Sequence, residues 1–176
     1  MCRHSARAVG SYNVADPVKL VPAWKQDNGK IGKDTVDFWR HLQVLPPGVS
    51  PEQRVNELCA AAYAGDELIG VSTVSLGQLA PVRCRVGFFR CSVNPAHIHR
   101  RIAWRLAKYS RELLEQWSKS NPDEKVLGMA AVLENPNFDL LGTRPIWRGA
   151  DLALIGYNQL GQQIRLAWFD HARMQR

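Results

Sequence analysis

The chain has no run of roughly 18 uninterrupted apolar residues, so it offers no candidate membrane-spanning helix and no membrane partner is expected. It has no internal repeat, no low-complexity linker and no glycine- or proline-rich tract, which excludes solenoid, collagen-like and linker-dominated architectures. Cysteine is scarce. Cys2, Cys59, Cys84 and Cys91 form no CxxC pair and no zinc-finger spacing, and they read as reduced thiols. Cys84 and Cys91 with His97 and His99 can be drawn as a metal set, but 84 and 91 differ by an odd number and so face opposite sides of one straight strand; no metal is expected. The first fifteen residues contain no acid and lack the apolar core of a secretory signal. Residues 1–16 are expected to form a mobile tail, and the location is expected to be cytoplasmic.

What is present is enough for a packed core. The 176 residues are 45% hydrophobic and 22% charged, near globular averages, and the length suits one domain over residues 17–176. Residues 18–21 form a short apolar run suited to an opening strand. Residues 34–45 place Val36, Trp39, Leu42 and Leu45 near helical spacing. Ser50-Pro51-Glu52-Gln53 is a capping-box pattern that starts a second short helix. Residues 58–64 and 67–76, joined at Gly65-Asp66, read as two strands, and residues 85–93 as a third that Asn94-Pro95 ends. Ile102, Leu106, Tyr109, Leu113 and Trp117 then mark a long helix over residues 97–120. Residues 125–133 are almost wholly apolar, as in a central strand covered on both faces. An irregular segment over 134–149 precedes a terminal hairpin of residues 152–157 and 163–169.

Charge is concentrated. Residues 81–120 hold nine basic residues against two acidic ones, which accounts for the whole net charge of +7; the remainder balances. Part of this cluster sits where the long helix begins. A helix N-terminus already carries about half a positive charge, so Arg100, Arg101 and Arg105 there are each unfavourable by about 0.3 to 1 kcal/mol unless something compensates. A phosphate or pyrophosphate would do so, held by backbone amides, the helix dipole and guanidinium groups together. The competing reading is a solvated face on which these arginines snorkel outward.

The order of elements, with a strand, a Val93-Asn94-Pro95 turn and a helix at an anion-binding loop, resembles the GNAT superfamily of N-acetyltransferases across residues 17 to 170. The resemblance implies an α+β fold with a mixed, mostly antiparallel central sheet and helices on both faces. It implies acetyl-CoA or another acyl-CoA as cosubstrate, an amine acceptor, and a strand splayed at Arg90 to Val93 whose backbone, through Cys91, Ser92 and Val93, holds the pantetheine arm. The family loop Q/R-x-x-G-x-G/A falls on Ile98, His99, Arg100, Arg101, Ile102 and Ala103, which would hold the pyrophosphate. Of these Ala103 conforms, Ile98 replaces Arg or Gln, and Arg101 replaces a glycine. The family's Asn after its fifth strand matches Asn135. Gly142 stands where a tyrosine would protonate the departing thiolate, and Ile146-Trp147 where Gly-Phe is usual. The stretch 85–93 contains no carboxylate to act as base; Glu57, Glu67 and Glu134, with Tyr63, Tyr109 and Tyr157, are the remaining titratable candidates, and no catalytic residue is assigned.

Three functions follow. The first is an acyl-CoA-dependent N-acyltransferase acting on an unidentified amine. The second is a non-catalytic GNAT-fold module that binds a ligand or a protein, compatible with a homodimer. The third is nucleic-acid binding through Arg100, Arg101, Arg105, Lys108 and Arg111, which is disfavoured because Trp104 is the one aromatic platform among them. Trp24, Trp39, Trp147 and Trp168 either line an acceptor pocket or belong to the core.

Overall fold

The computed structural model describes residues 17–27, 29–134 and 144–174. Eight strands form one sheet: β1 (Val18–Pro22), β2 (Leu58–Ala64), β3 (Glu67–Leu79), β4 (Cys84–Val93), β5 (Val126–Val132), β6 (Ile146–Trp147), β7 (Leu152–Tyr157) and β8 (Gln163–Trp168). Their spatial order is β1-β2-β3-β4-β5-β8-β7-β6, and among the described residues only β4 with β5 pairs in parallel. The helices are α1 (Gly29–Leu42), α2 (Pro51–Arg54) and α3 (Ile102–Ser120). The parallel pair needs a long crossover, and α3 supplies it. This is the mixed, mostly antiparallel α+β architecture expected from the sequence.

The two faces of the sheet are told apart by what they pack. Ile102, Leu106 and Leu114 of α3 lie in one cluster with Ile69, Val74, Phe89 and Met129. Phe38 and Trp39 of α1 lie in another, with Leu58, Ala61, Tyr63 and Val71. Helices therefore cover opposite faces, as successive side chains of a strand must alternate. The helical stripe differs in detail from the one expected. The fully buried line of α3 runs Ile102, Leu106, Ser110, Leu114 and Ser118, while Tyr109, Leu113 and Trp117 flank it half-buried. Two serines are tolerated on this line because each is bonded: Ser110 Oγ lies 2.8 Å from Ser72 Oγ, and Ser118 Oγ donates to the Val126 carbonyl at 2.6 Å.

Several boundaries move. Helix α1 begins at Gly29 rather than residue 34 and stops at Leu42, since Gln43 takes a left-handed φ of 51°. Helix α2 begins as expected, with Ser50 Oγ accepting from the amides of Glu52 and Gln53 and Pro51 at the first position. Strand β3 runs on to Leu79, and a two-residue strand, β6, lies inside the segment expected to be irregular. The helix expected from residue 97 begins instead at Ile102, after a 3-10 helix over Pro95–Arg100. Among the described residues no helix is long and apolar enough to cross a membrane.

Candidate functional site

Strands β4 and β5 part company midway. Their pairing runs from Arg85 opposite Val126 to Phe89 opposite Ala131 and stops there. Beyond that point β4 stays with β3, with Arg90 opposite Thr73 and Val93 opposite Gly70, whereas β5 stays with β8 through Val132 opposite Ile164. Among the described residues the backbone of Arg90, Cys91, Ser92 and Val93 is thus left without a β5 partner, and the two strands part there as the sides of a wedge. The parity of the strand assigns the side chains. Phe89, Cys91 and Val93 belong with the core under α3, whereas Val86 and Phe88 belong to a cluster on the opposite face. Arg90 and Ser92 share that opposite face. Burial pushes the Cys91 thiol up to about 12, so at neutral pH it is a packed thiol and not a nucleophile.

The turn after β4 is tied down at both ends. The Asn94 amide donates to the Ile69 carbonyl at 2.9 Å, and Asn94 Oδ1 accepts from the Ala96 amide at 3.0 Å. Glu67, at the start of β3, receives Asn94 Nδ2 at 3.3 Å and lies 3.4 Å from His97 Nε2. Winding as a 3-10 helix, the segment then satisfies its own amides through i→i+3 bonds, ending with the Arg101 amide on the Ile98 carbonyl at 3.4 Å. The amides of Ile102, Ala103 and Trp104, in the first turn of α3, have no intrahelical acceptor and form the remaining donor group. Ile98 is 72% exposed, His99 and Arg101 are exposed, Arg100 and Ala103 are half-buried, and Ile102 is fully buried over Gly70. The expected site residues Cys91, Ser92, Val93 and 98–103 therefore lie together, at the end of β4 and the start of α3. Asn135 lies outside the described residues, as does Gly142.

The cationic cluster is more dispersed than its sequence position implies. Arg105 donates to the Val18 carbonyl at 2.9 Å, fastening α3 to β1. Arg111 contacts the buried Glu115 at 3.4 Å, Asp170 at 3.2 Å and the Trp168 carbonyl at 3.0 Å. Lys108 faces Glu112 at 3.9 Å, and Arg85 faces Glu124 at 3.0 Å. These four balance structural groups. His99, Arg100 and Arg101 stand at the loop, whereas the Arg90 side chain lies on the opposite face of β4.

The titratable candidates do not converge on the wedge. Glu57 is paired with Arg54 at 2.7 Å, Glu67 is occupied at the turn, and Glu134 is exposed. Tyr63 donates to Asp34 Oδ2 at 2.9 Å, and burial, with that bond and the Asp34 charge, raises its pKa well above the usual phenol range. Tyr109, on α3, packs half-buried against the core, and Tyr157 is 61% exposed. The tryptophans are likewise scattered. Trp24 meets Trp117 edge-on at 5.5 Å, Trp39 is in the α1 core, and Trp147 lies 6.1 Å from Trp104.

Two features were not foreseen. Arg165, in the middle of β8, is fully buried, with its guanidinium 4.2 Å from the Trp147 ring centroid. It donates to the carbonyls of Leu152 and Arg144 and to Gln163 Oε1, so it pins residues 144–152 to the sheet. The signal was an arginine at the centre of the apolar strand Gln163–Trp168. The second is a cleft of about 630 Å³ on the α1 face, lined among others by Lys33, Asp37, Arg40, Glu52 and Leu58. Its walls come from α1, α2 and the start of β2, segments too far apart in sequence to be read as one surface.

No protein-family model and no curated protein matches the sequence. Solved structures do match in shape. A GNAT-family acetyltransferase from Streptococcus pneumoniae superposes with a TM-score of 0.54 at 10% identity, covering 86% of this chain and 99% of that one. The protein yncA of Salmonella typhimurium, solved with its cofactor acetyl-CoA, gives 0.54 at 12% identity over 89% and 96% of the two chains. An aminoglycoside 6'-N-acetyltransferase complexed with coenzyme A gives 0.53 at 15% identity over 89% and 99%. With a parallel pair that opens at its carboxyl end and leads through a short loop into the crossover helix, the chain has the GNAT fold.

Proposed function

We propose that the protein is an N-acyltransferase that moves an acetyl or acyl group from acyl-CoA to an amine. The observation that carries this reading is the parting of β4 from β5 after Phe89 and Ala131, which leaves the edge of Arg90–Val93 without a β5 partner among the described residues, close in sequence to the first turn of α3. Strand amides on the side of β4 away from β3 suit a thioester carbonyl and a pantetheine amide, and the amides of Ile102 to Trp104 with Arg100 and Arg101 suit a diphosphate. In the reaction the amine nitrogen bonds to the thioester carbon, the C–S bond breaks, and the thiolate leaves. The proton lost by the amine goes to water, and water protonates the thiolate. Solved relatives in shape hold acetyl-CoA or coenzyme A.

A non-catalytic module of the same fold is the second reading. It is favoured by Arg101 in place of a glycine and by the absence of a carboxylate along residues 85–93. Calorimetric titration with acetyl-CoA and with desulfo-CoA separates the two. We expect saturable heat with both ligands, together with turnover of acetyl-CoA in the presence of an accepted amine. Arg101→Glu should weaken CoA about tenfold, the scale of a lost charge-assisted hydrogen bond, while Lys108→Glu should change it less than about twofold because Lys108 lies a helical turn and more from the loop. Neither heat nor thermal shift at millimolar ligand would remove the transferase reading.

A further inference from the structure

We infer that Arg90 sets acceptor specificity by binding a carboxylate carried by the amine acceptor; this deepens the acyl-transfer reading and rests on it. Arg90 is the first residue of β4 past the last rung shared with β5, immediately before the Cys91 amide. Its face is fixed by register. Arg90 lies opposite Thr73, and Thr73 lies opposite Leu58, so the three form one row across β4, β3 and β2. Leu58 packs in the α1 cluster, as does Val71, the partner of Ser92 in the next row. Arg90 therefore points to the α1 side, away from the loop and the start of α3.

Leu58 also lines the 630 Å³ cleft. Two strand spacings separate it from Arg90, about 10 Å; Arg90 itself does not line the cleft, and the buried Thr73 stands between them, so the cleft flanks the Arg90 position on the same face of the sheet. The cleft wall carries both signs of charge, with Lys33 and Asp37 beside the bridged pair Arg40 and Glu52. Such a wall suits a polar, charged acceptor rather than an apolar one.

The chemistry of Arg90 narrows the class. It is exposed and makes no ion pair among the described residues, whereas Arg40, Arg54, Arg85 and Arg111 each have a carboxylate. No acidic residue stands anywhere on β4. An amine arriving as an ammonium beside this guanidinium meets a like charge with no carboxylate on β4 to offset it. An acceptor that brings its own carboxylate removes the repulsion, and the planar guanidinium fork binds that group through two parallel hydrogen bonds. The inferred acceptor is a small primary amine bearing a carboxylate.

The test uses the full chain, acetyl-CoA and matched amines: glycine against glycinamide, β-alanine against β-alaninamide, and phosphoethanolamine against ethanolamine. We expect the carboxylate member to exceed its amide at least tenfold in kcat/KM. Arg90→Ala should bring that ratio close to one and Arg90→Lys should keep part of it, with CoA affinity in both variants within twofold of wild type. An unchanged ratio in Arg90→Ala, a wild-type preference for the amides or for the phosphate pair, or CoA binding with no turnover of any amine would each overturn the inference. Failure of the wild type to bind CoA would instead bring down the acyl-transfer reading on which it stands. Thermal unfolding checks that the variants are folded, as expected for an exposed position.

Discussion

Arg101 takes φ 55° and ψ 35°, a left-handed conformation, between the 3-10 helix and α3. A residue with a Cβ loses about 1–2 kcal/mol in that conformation, while glycine adopts it freely but is looser when unfolded. Arg101→Gly is therefore expected to stabilise the protein by up to about 1 kcal/mol, read as a higher urea midpoint; a lower midpoint would contradict it. The same variant asks what the arginine does for the ligand: if Arg101 binds the diphosphate, as proposed, CoA affinity falls despite the gain in stability. The sequence showed that an arginine stands at a position where the GNAT loop has glycine. It did not show that the backbone keeps the conformation glycine favours, because arginine itself carries no signal for a left-handed turn. Arg90 was equally opaque: as one cation among nine it looked like part of a cluster, and only strand parity set it apart.

At the level of elements, the approach of α3 to the sheet depends on Gly70. A Cβ built there would lie 2.7 Å from Ile102 Cγ2 and 3.3 Å from the Ser92 carbonyl oxygen. Gly70→Ala forces the first turn of α3 off the end of β4, and should cost about 1–3 kcal/mol, as overpacking does. Because the displaced turn carries the proposed diphosphate amides, CoA binding should weaken in the same variant; an unchanged unfolding midpoint would show that the contact relaxes without cost. Strands β1, β2, β3, β4, β5, β7 and β8 were legible from alternation and apolar runs, and α3 from its periodicity. Its start was not. Residues 97–101 have helical spacing, but Asn94 and Glu67 anchor the turn from the neighbouring strand, and the segment winds more tightly to meet both anchors.

For the molecule as a whole, burial of ionisable groups predicts an alkaline limit. The Cys59 thiol, like that of Cys91, is pushed by burial from the ordinary 9.0 up to about 12, and Tyr63 is raised as well. The folded state holds these protons after the unfolded chain has begun to release them. Stability contributed by the protonated groups is therefore complete below about pH 9 and falls as pH rises toward 12. Denaturant midpoints at pH 7.5, 9 and 10.5 should decline over the last interval, and a flat profile would show that these groups are more hydrated than their packing implies. The order of the elements, the apolar centre of the sheet and the location of the positive charge along the chain were determined by the sequence alone, because periodicity, capping and turn residues act over a few neighbours. Tertiary structure alone decided that Arg105 spends its donors on Val18, that Arg111 serves Glu115 and Asp170, and that β4 leaves β5 at Phe89. Those outcomes depend on pairing between segments distant in the chain, and a local pattern contains no information about which distant groups will meet it.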